Sequence, residues 1–160
     1  MRRLTTVIIS ALSTIMPINV ATADSASLID KTVMIECGES SGAGFYVDER
    51  HILTAKHVVE ECRKAKIFSN SGNSTTASDF FFDPNLDIAV LTAAKNIAAP
   101  ASLDETRIET GQSVYIVGAP IDGLVMSKGK VVDSSGAESP SRLYLEIPAD
   151  NGNSGGPVFS

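Results

Sequence analysis

Gly152-Asn153-Ser154-Gly155-Gly156-Pro157-Val158-Phe159-Ser160 closes the 160-residue sequence and sets one serine hydroxyl inside a cluster of glycines. A serine hydroxyl becomes a nucleophile when a base takes its proton and backbone N–H groups face the oxyanion it creates, and glycines let the backbone come that close. Two histidines are candidates for the base. His57 lies in Ile52-Leu53-Thr54-Ala55-Lys56-His57-Val58-Val59, where an apolar strand runs into a turn that can project an imidazole. His51 follows Asp48-Glu49-Arg50 and reads as a solvated loop residue. A serine-activating histidine is oriented by a buried acceptor. Asp87 is the first choice, because it heads the apolar strand Asp87-Ile88-Ala89-Val90-Leu91, where a buried charge must be paired. Asp87 could equally end the turn Asp83-Pro84-Asn85 and face water. Asp79 and Asp83 compete for the role from more polar or turn-like surroundings.

Ser154 on its own is also compatible with a plain Gly/Ser turn. Gly152-Asn153-Ser154-Gly155-Gly156 further fits the Gly-x-Ser-x-Gly nucleophile elbow. That elbow needs a helix directly after the serine and places the acid and histidine later in the chain. Here both precede the serine and Pro157 follows it, so the elbow is rejected.

The elements that must hold these groups read as short strands. Thr32 to Cys37 alternates, with Val33, Ile35 and Cys37 on one face, and further strands are expected at Gly44–Val47, Ile52–Ala55, Ala65–Ser69, Ser78–Phe82, Ile88–Leu91, Ser113–Val117, Ser127–Val132 and Leu143–Ile147. Ser71-Gly72-Asn73, Asp83-Pro84-Asn85, Asp122-Gly123 and Ser135-Gly136 supply turns between them. Helix is expected in short pieces, at His57–Cys62 and near Ser27–Lys31. Many short strands without long helical periodicity specify an all-β sandwich or barrel, with a compositional break at 93–111 between two halves.

In order, Thr54-Ala55-Lys56-His57-Val58-Val59, Leu86-Asp87-Ile88-Ala89-Val90-Leu91 and Gly152-Asn153-Ser154-Gly155-Gly156-Pro157 resemble the three signature blocks of trypsin-like (chymotrypsin-fold) serine proteases. The run Ser41-Gly42-Ala43-Gly44-Phe45 resembles the Gly-Ser-Gly strand start of the compact bacterial HtrA-like branch. The resemblance implies two β-barrels with the active site in the cleft between them, the first over about 32–92, a linker over about 93–111 and the second over about 112–160. It implies His57 as general base and acid, Asp87 as its orienting partner, Ser154 as nucleophile, and the N–H groups of Gly152 and Ser154 as oxyanion hole. It implies a serine endopeptidase acting on protein or peptide substrates through an acyl-enzyme. The family continues with two more strands after the serine block, so the second barrel is expected to lack its last strands and to leave an open edge. A non-catalytic or inactive truncated protease-like domain is the alternative.

Departures from the family pattern carry expectations of their own. Asn153 stands where zymogen-activated members carry an aspartate, so activity is expected not to depend on a newly cut N-terminus. Pro148 stands where the trypsin-type specificity aspartate would be, and Pro148 with Ala149 suggests a small or apolar pocket floor in place of one that selects Arg or Lys; Asp150 is too close to Ser154 to substitute. With no PDZ-like segment after the serine block, trimeric assembly and peptide sensing are not implied, and the oligomeric state is left open.

Arg2 and Arg3, the apolar stretch Leu4–Met16, Pro17 and Ala21-Thr22-Ala23 read as a secretory signal peptide cleaved after Ala23, with a protease domain over 24–160. The apolar run is short of the roughly 20 residues of a spanning helix, so no membrane association is expected after signal removal, and the destination is secreted or periplasmic. Removal takes two arginines and no acid, so the net charge moves from −6 to −8. An acidic surface with no basic run excludes nucleic acid as a partner. Cys37 and Cys62, an even pair in an exported chain, are expected to form a disulfide across the segment holding His57; two buried thiols are the alternative. Cys-x-x-Cys and Cys/His spacings are absent, so neither a metal nor any other cofactor is expected.

Overall fold

The computed structural model describes residues 6–9, 25–104, 108–120, 123–133, 143–148 and 151–160. The expected leader cleavage point at Ala23, the Ser135–Gly136 turn, and Ala149 and Asp150 lie outside them. In chain order the elements are β1 (Thr6–Ile9), α1 (Ser25–Asp30), β2 (Thr32–Cys37), β3 (Ser40–Tyr46), β4 (His51–Thr54), α2 (Lys56–Val59), β5 (Ala65–Ser69), β6 (Ser74–Phe82), β7 (Ala89–Ala93), β8 (Ser113–Gly118), β9 (Val125–Asp133), β10 (Leu143–Glu146) and β11 (Val158–Phe159).

Six strands close a barrel in the order β2-β3-β4-β7-β6-β5, with β5 pairing back to β2. The alternation read in β2 sends Val33, Ile35 and Cys37 into the barrel, where they meet Ile52, Ile67, Leu91 and Tyr46. Burying side chains of this size stabilises by roughly 1.5–3 kcal/mol each, and a period of two puts the same strands' polar residues outside. Thr32, on the opposite face, is buried as well; its hydroxyl donates to Leu28 O at 3.2 Å and ties α1 to β2.

β3 starts at Ser40 rather than Gly44, because Ser41-Gly42-Ala43 is paired throughout with β2, Gly42 lying opposite Ile35 and Ala43 opposite Met34. Glycines that look like loop residues in the sequence here sit where another backbone comes close. β6 also begins early, at Ser74, since Thr75 is buried and its hydroxyl accepts a hydrogen bond from Lys95 N at 3.1 Å. The residues after β7 are then pinned along the barrel: Ala94 N donates to Thr76 O at 2.8 Å, Tyr46 Oη to Lys95 O at 3.0 Å and Ala101 N to Tyr46 O at 2.8 Å. Burial pushes the Tyr46 phenol above its usual pKa range. The described part of 93–111 beyond β7 has neither helix nor strand.

The second half is an open sheet in the order β1-β10-β9-β8-β11. Its first three strands, β8, β9 and β10, repeat the order of β2, β3 and β4, and β11 pairs with β8 as β5 pairs with β2. Counterparts of β6 and β7, which close the first barrel, are lacking among the described residues, so β10 and β11 are left unjoined. β1 occupies on β10 the side that β7 occupies on β4, with Thr6 opposite Glu146 and Ile9 opposite Leu143. The stretch read as leader thus supplies an edge strand in the uncleaved chain. Thr5-Thr6-Val7-Ile8-Ile9 is apolar enough for a leader and β-branched enough for a strand, so composition alone does not separate the two. Val114, Ile116, Val131, Leu145, Ile147 and Val158 form the core of this sheet. A further cluster joins the halves, bringing Phe45 of the barrel against Val117 and Phe159 of the sheet.

Candidate active site

α2 is one turn long and stands on its two buried valines, Val58 and Val59, which leaves His57 exposed at the barrel rim. The disulfide between Cys37 and Cys62 fastens the segment after α2 to the end of β2, with the two Cα atoms 5.5 Å apart. Closing a loop of 25 residues stabilises the folded state by about 3 kcal/mol. Reduction should therefore lower the thermal midpoint by roughly 10 °C; melting curves with and without reductant test this, and unchanged curves would contradict it.

Asp87 approaches His57 from the loop before β7. His57 N donates to Asp87 Oδ1 at 2.9 Å, and His57 Nδ1 lies 2.6 Å from Asp87 Oδ2. Two contacts to one carboxylate set both the position and the tilt of the imidazole, and with Nδ1–H donating to Asp87, Nε2 is the nitrogen left to accept a proton. The expected burial of Asp87 is corrected: its side chain is 37 % exposed and that of His57 52 %. The pair sits on an open rim, two residues before the strand that the sequence reading had it head, so its charge keeps contact with water and needs no enclosing apolar wall. The rival acids are occupied elsewhere. Asp83 closes its own turn by accepting from Asn85 N at 2.8 Å and Leu86 N at 2.9 Å, and Asp79 accepts from Thr92 Oγ1 at 3.3 Å. His51 pairs with Asp48 on the surface, as a solvated histidine would. The Asp48 carboxyl is lowered to about 2 by the Arg50 N–H, then by the His51 side chain and N–H.

Ser154 is half-buried where the two halves meet. Its carbonyl accepts from Ala43 N of β3 at 2.8 Å, across the interface between barrel and sheet. Gly155, at φ +78°, is pressed against Thr54 Oγ1, Ala43 O and Ala55 N, so a Cβ there would collide with the residues that lead into α2. Gly152, at φ +100°, is pressed in turn against Ala119 O, and its own carbonyl accepts from Ala119 N at 2.8 Å. The serine loop is thereby wedged between the first barrel and the end of β8. Among the described residues, none accepts a hydrogen bond from Gly152 N or Ser154 N. Ser154 Oγ makes no hydrogen bond to His57 Nε2; such bonds are often long in substrate-free sites and tighten on binding.

Of the expected site residues, the fold brings His57 and Asp87 into hydrogen-bond contact and packs the Ser154 loop against the residues before His57. Ala43 and Thr54, which touch the Ser154 loop, were not among the expected site residues. The signal available for Ala43 was the pair of glycines flanking it inside a strand, since interior strand glycines mark close backbone approach. Pro148, expected in a pocket floor, is exposed.

The family described as the trypsin-like peptidase domain matches residues 42–160. A probable periplasmic serine endoprotease, DegP-like, of Halomonas elongata is 30 % identical over 130 residues, covering 76 % of this chain and 27 % of that protein. A glutamyl endopeptidase of Staphylococcus epidermidis is 29 % identical over 153 residues, covering 80 % of this chain and 53 % of that one. Four of the curated relatives are matched over only 20 to 31 % of their own length. Among solved structures, the active form of the Rv3671c protease from M. tuberculosis superposes with a TM-score of 0.72 at 21 % identity, over 92 % of this chain and 75 % of that one. The serine endoprotease from Yersinia pestis gives 0.71 at 22 %, over 88 % and 54 %. These structural likenesses bear on the fold, an all-β arrangement of a closed barrel and a second, open sheet.

Proposed function

This chain belongs to the trypsin-like peptidase domain family, and on that premise we propose that it is a serine endopeptidase whose triad is Ser154, His57 and Asp87. The observation that carries the reading is the doubly hydrogen-bonded Asp87–His57 pair, with Gly155 of the serine loop packed closely against Thr54 and Ala43.

In this mechanism Ser154 Oγ attacks the carbonyl carbon of the scissile peptide bond while His57 Nε2 takes the hydroxyl proton. The carbonyl oxygen becomes an oxyanion and receives hydrogen bonds from Gly152 N and Ser154 N, of which one is typically worth about a hundredfold or more in rate. Asp87 stays ionised, keeps the Nδ1–H tautomer and stabilises the imidazolium. The imidazolium returns the proton to the leaving amine as the C–N bond breaks, which leaves an ester on Ser154. Water, deprotonated by the same imidazole, attacks the ester and regenerates the free hydroxyl.

Protein or peptide substrates are proposed, because the named relatives are endopeptidases. An exported destination, secreted or periplasmic, is supported by the disulfide and by the periplasmic naming of the DegP-like relative. No described helix is long and apolar enough to cross a membrane. The non-catalytic alternative is not favoured, since the chain's named relatives are proteases and every residue type the triad requires is present at the site.

A small activated ester such as p-nitrophenyl acetate asks nothing of the substrate pocket and so tests the chemistry by itself. Mixing it with the folded protein should release a burst of nitrophenol approaching one equivalent, followed by slower turnover. A strictly linear release, equal to that of Ser154→Ala, would refute the proposal.

A further inference from the structure

Thr54 is a buried polar residue, 3 % exposed, three positions before His57. Its hydroxyl donates to Ala43 O at 2.7 Å, and Ala43 N donates to Ser154 O at 2.8 Å. One peptide segment of β3 is therefore held by the histidine-bearing turn on one side and grips the nucleophile's backbone on the other. Thr54 Oγ1 and Ala43 O also form the wall against which Gly155 is pressed, and Gly42, the residue before Ala43, packs between Val58 of α2 and the Ser154 carbonyl, where a Cβ would lie 2.7 Å from Val58 Cγ2 and 2.8 Å from Ser154 O.

We infer that Thr54 is a positioning residue: its hydroxyl fixes Ala43 so that the first barrel, not the second sheet alone, sets the distance between Ser154 and His57. The inference rests on Ser154 being the nucleophile, and adds what holds it in place. Ala43 is suited to this role because it belongs to β3 of the closed barrel, where pairing with β2 fixes its backbone. A latch from the barrel gives the serine and the histidine a common reference, where misplacement by an ångström can cost about a hundredfold.

The test compares Thr54→Val, which keeps the shape and removes the hydroxyl, with Thr54→Ser, which keeps the hydroxyl, and with Thr54→Ala as a variant without added apolar bulk. Two quantities are read: the fluorophosphonate labelling rate of folded protein, and the hydrogen-exchange protection of the Ala43 amide. Thr54→Val and Thr54→Ala should label about 10- to 100-fold more slowly and lose at least about tenfold in Ala43 protection, while Thr54→Ser stays close to wild type in both. A purely structural role would lower the thermal midpoint and leave the labelling rate of the folded fraction unchanged. Ala43 protection that is equal in all variants overturns the latch. Protection that falls in Thr54→Val while even the wild type remains unlabelled leaves the latch standing and removes the proposed function instead.

Discussion

Replacing His57 by alanine should slow acylation of Ser154 by about 10⁵- to 10⁶-fold, the scale on which loss of a triad base acts. The residue's other contributions are small. Its side chain is 52 % exposed, and the contact its ring makes, to Asp87, lies in water where an exposed pair adds little stability. The backbone N–H that also binds Asp87 is retained in alanine. The thermal midpoint should therefore move by only a degree or two while the single-turnover rate collapses. A fall in rate matched by a fall in folded fraction would mean that His57 supports α2 rather than the chemistry.

Asp87→Asn is expected to lower acylation by about 10⁴-fold, with folding intact. The carboxylate accepts from His57 N through one oxygen and faces Nδ1 with the other. An amide can satisfy the first contact through its carbonyl, yet it presents an NH₂ to Nδ1. That donor stabilises the tautomer with its proton on Nε2, which cannot take a proton from serine. Asp83→Asn is the control, because Asp83 binds only the backbone of its own turn, through Asn85 N and Leu86 N. It should shift stability slightly and change the single-turnover rate by less than about threefold. Equal effects of the two substitutions would take the orienting role away from Asp87.

The proposed trio His57, Asp87 and Ser154 could be named from sequence because each requirement leaves a local trace: an apolar strand running into a histidine turn, an acid before an apolar strand, and a serine among glycines. The first barrel was legible for a related reason, since the period-two pattern of Val33, Ile35 and Cys37 reports its own buried face. What was not legible is what depends on neighbours distant in sequence. Asp87 looked like a buried charge because the residues after it are apolar, yet burial is decided by what covers a side chain, and this one is covered only in part, with 37 % of it exposed. The Ser41-Gly42-Ala43 segment fell outside the strand expected at Gly44–Val47, since glycine disfavours strands, whereas pairing with β2 and the approach of Ser154 O decide its conformation. Thr54 carried no local signal; its partner Ala43 is eleven residues away and Gly155 about a hundred. The β-branched run at Thr5–Ile9 satisfied two readings at once, and its pairing with β10 appears only when the sheet is assembled.

The most direct measurement is peptide mapping by mass spectrometry after the folded protein has reacted with a fluorophosphonate. A base-activated serine attacks the phosphorus, expels fluoride and keeps the phosphonyl group, with no demand on a peptide-binding pocket. The account predicts one adduct per chain, on Ser154, and none on that serine in His57→Ala or in unfolded wild type. Folded wild-type protein that carries no adduct on Ser154, or that is labelled equally well without His57, would contradict it.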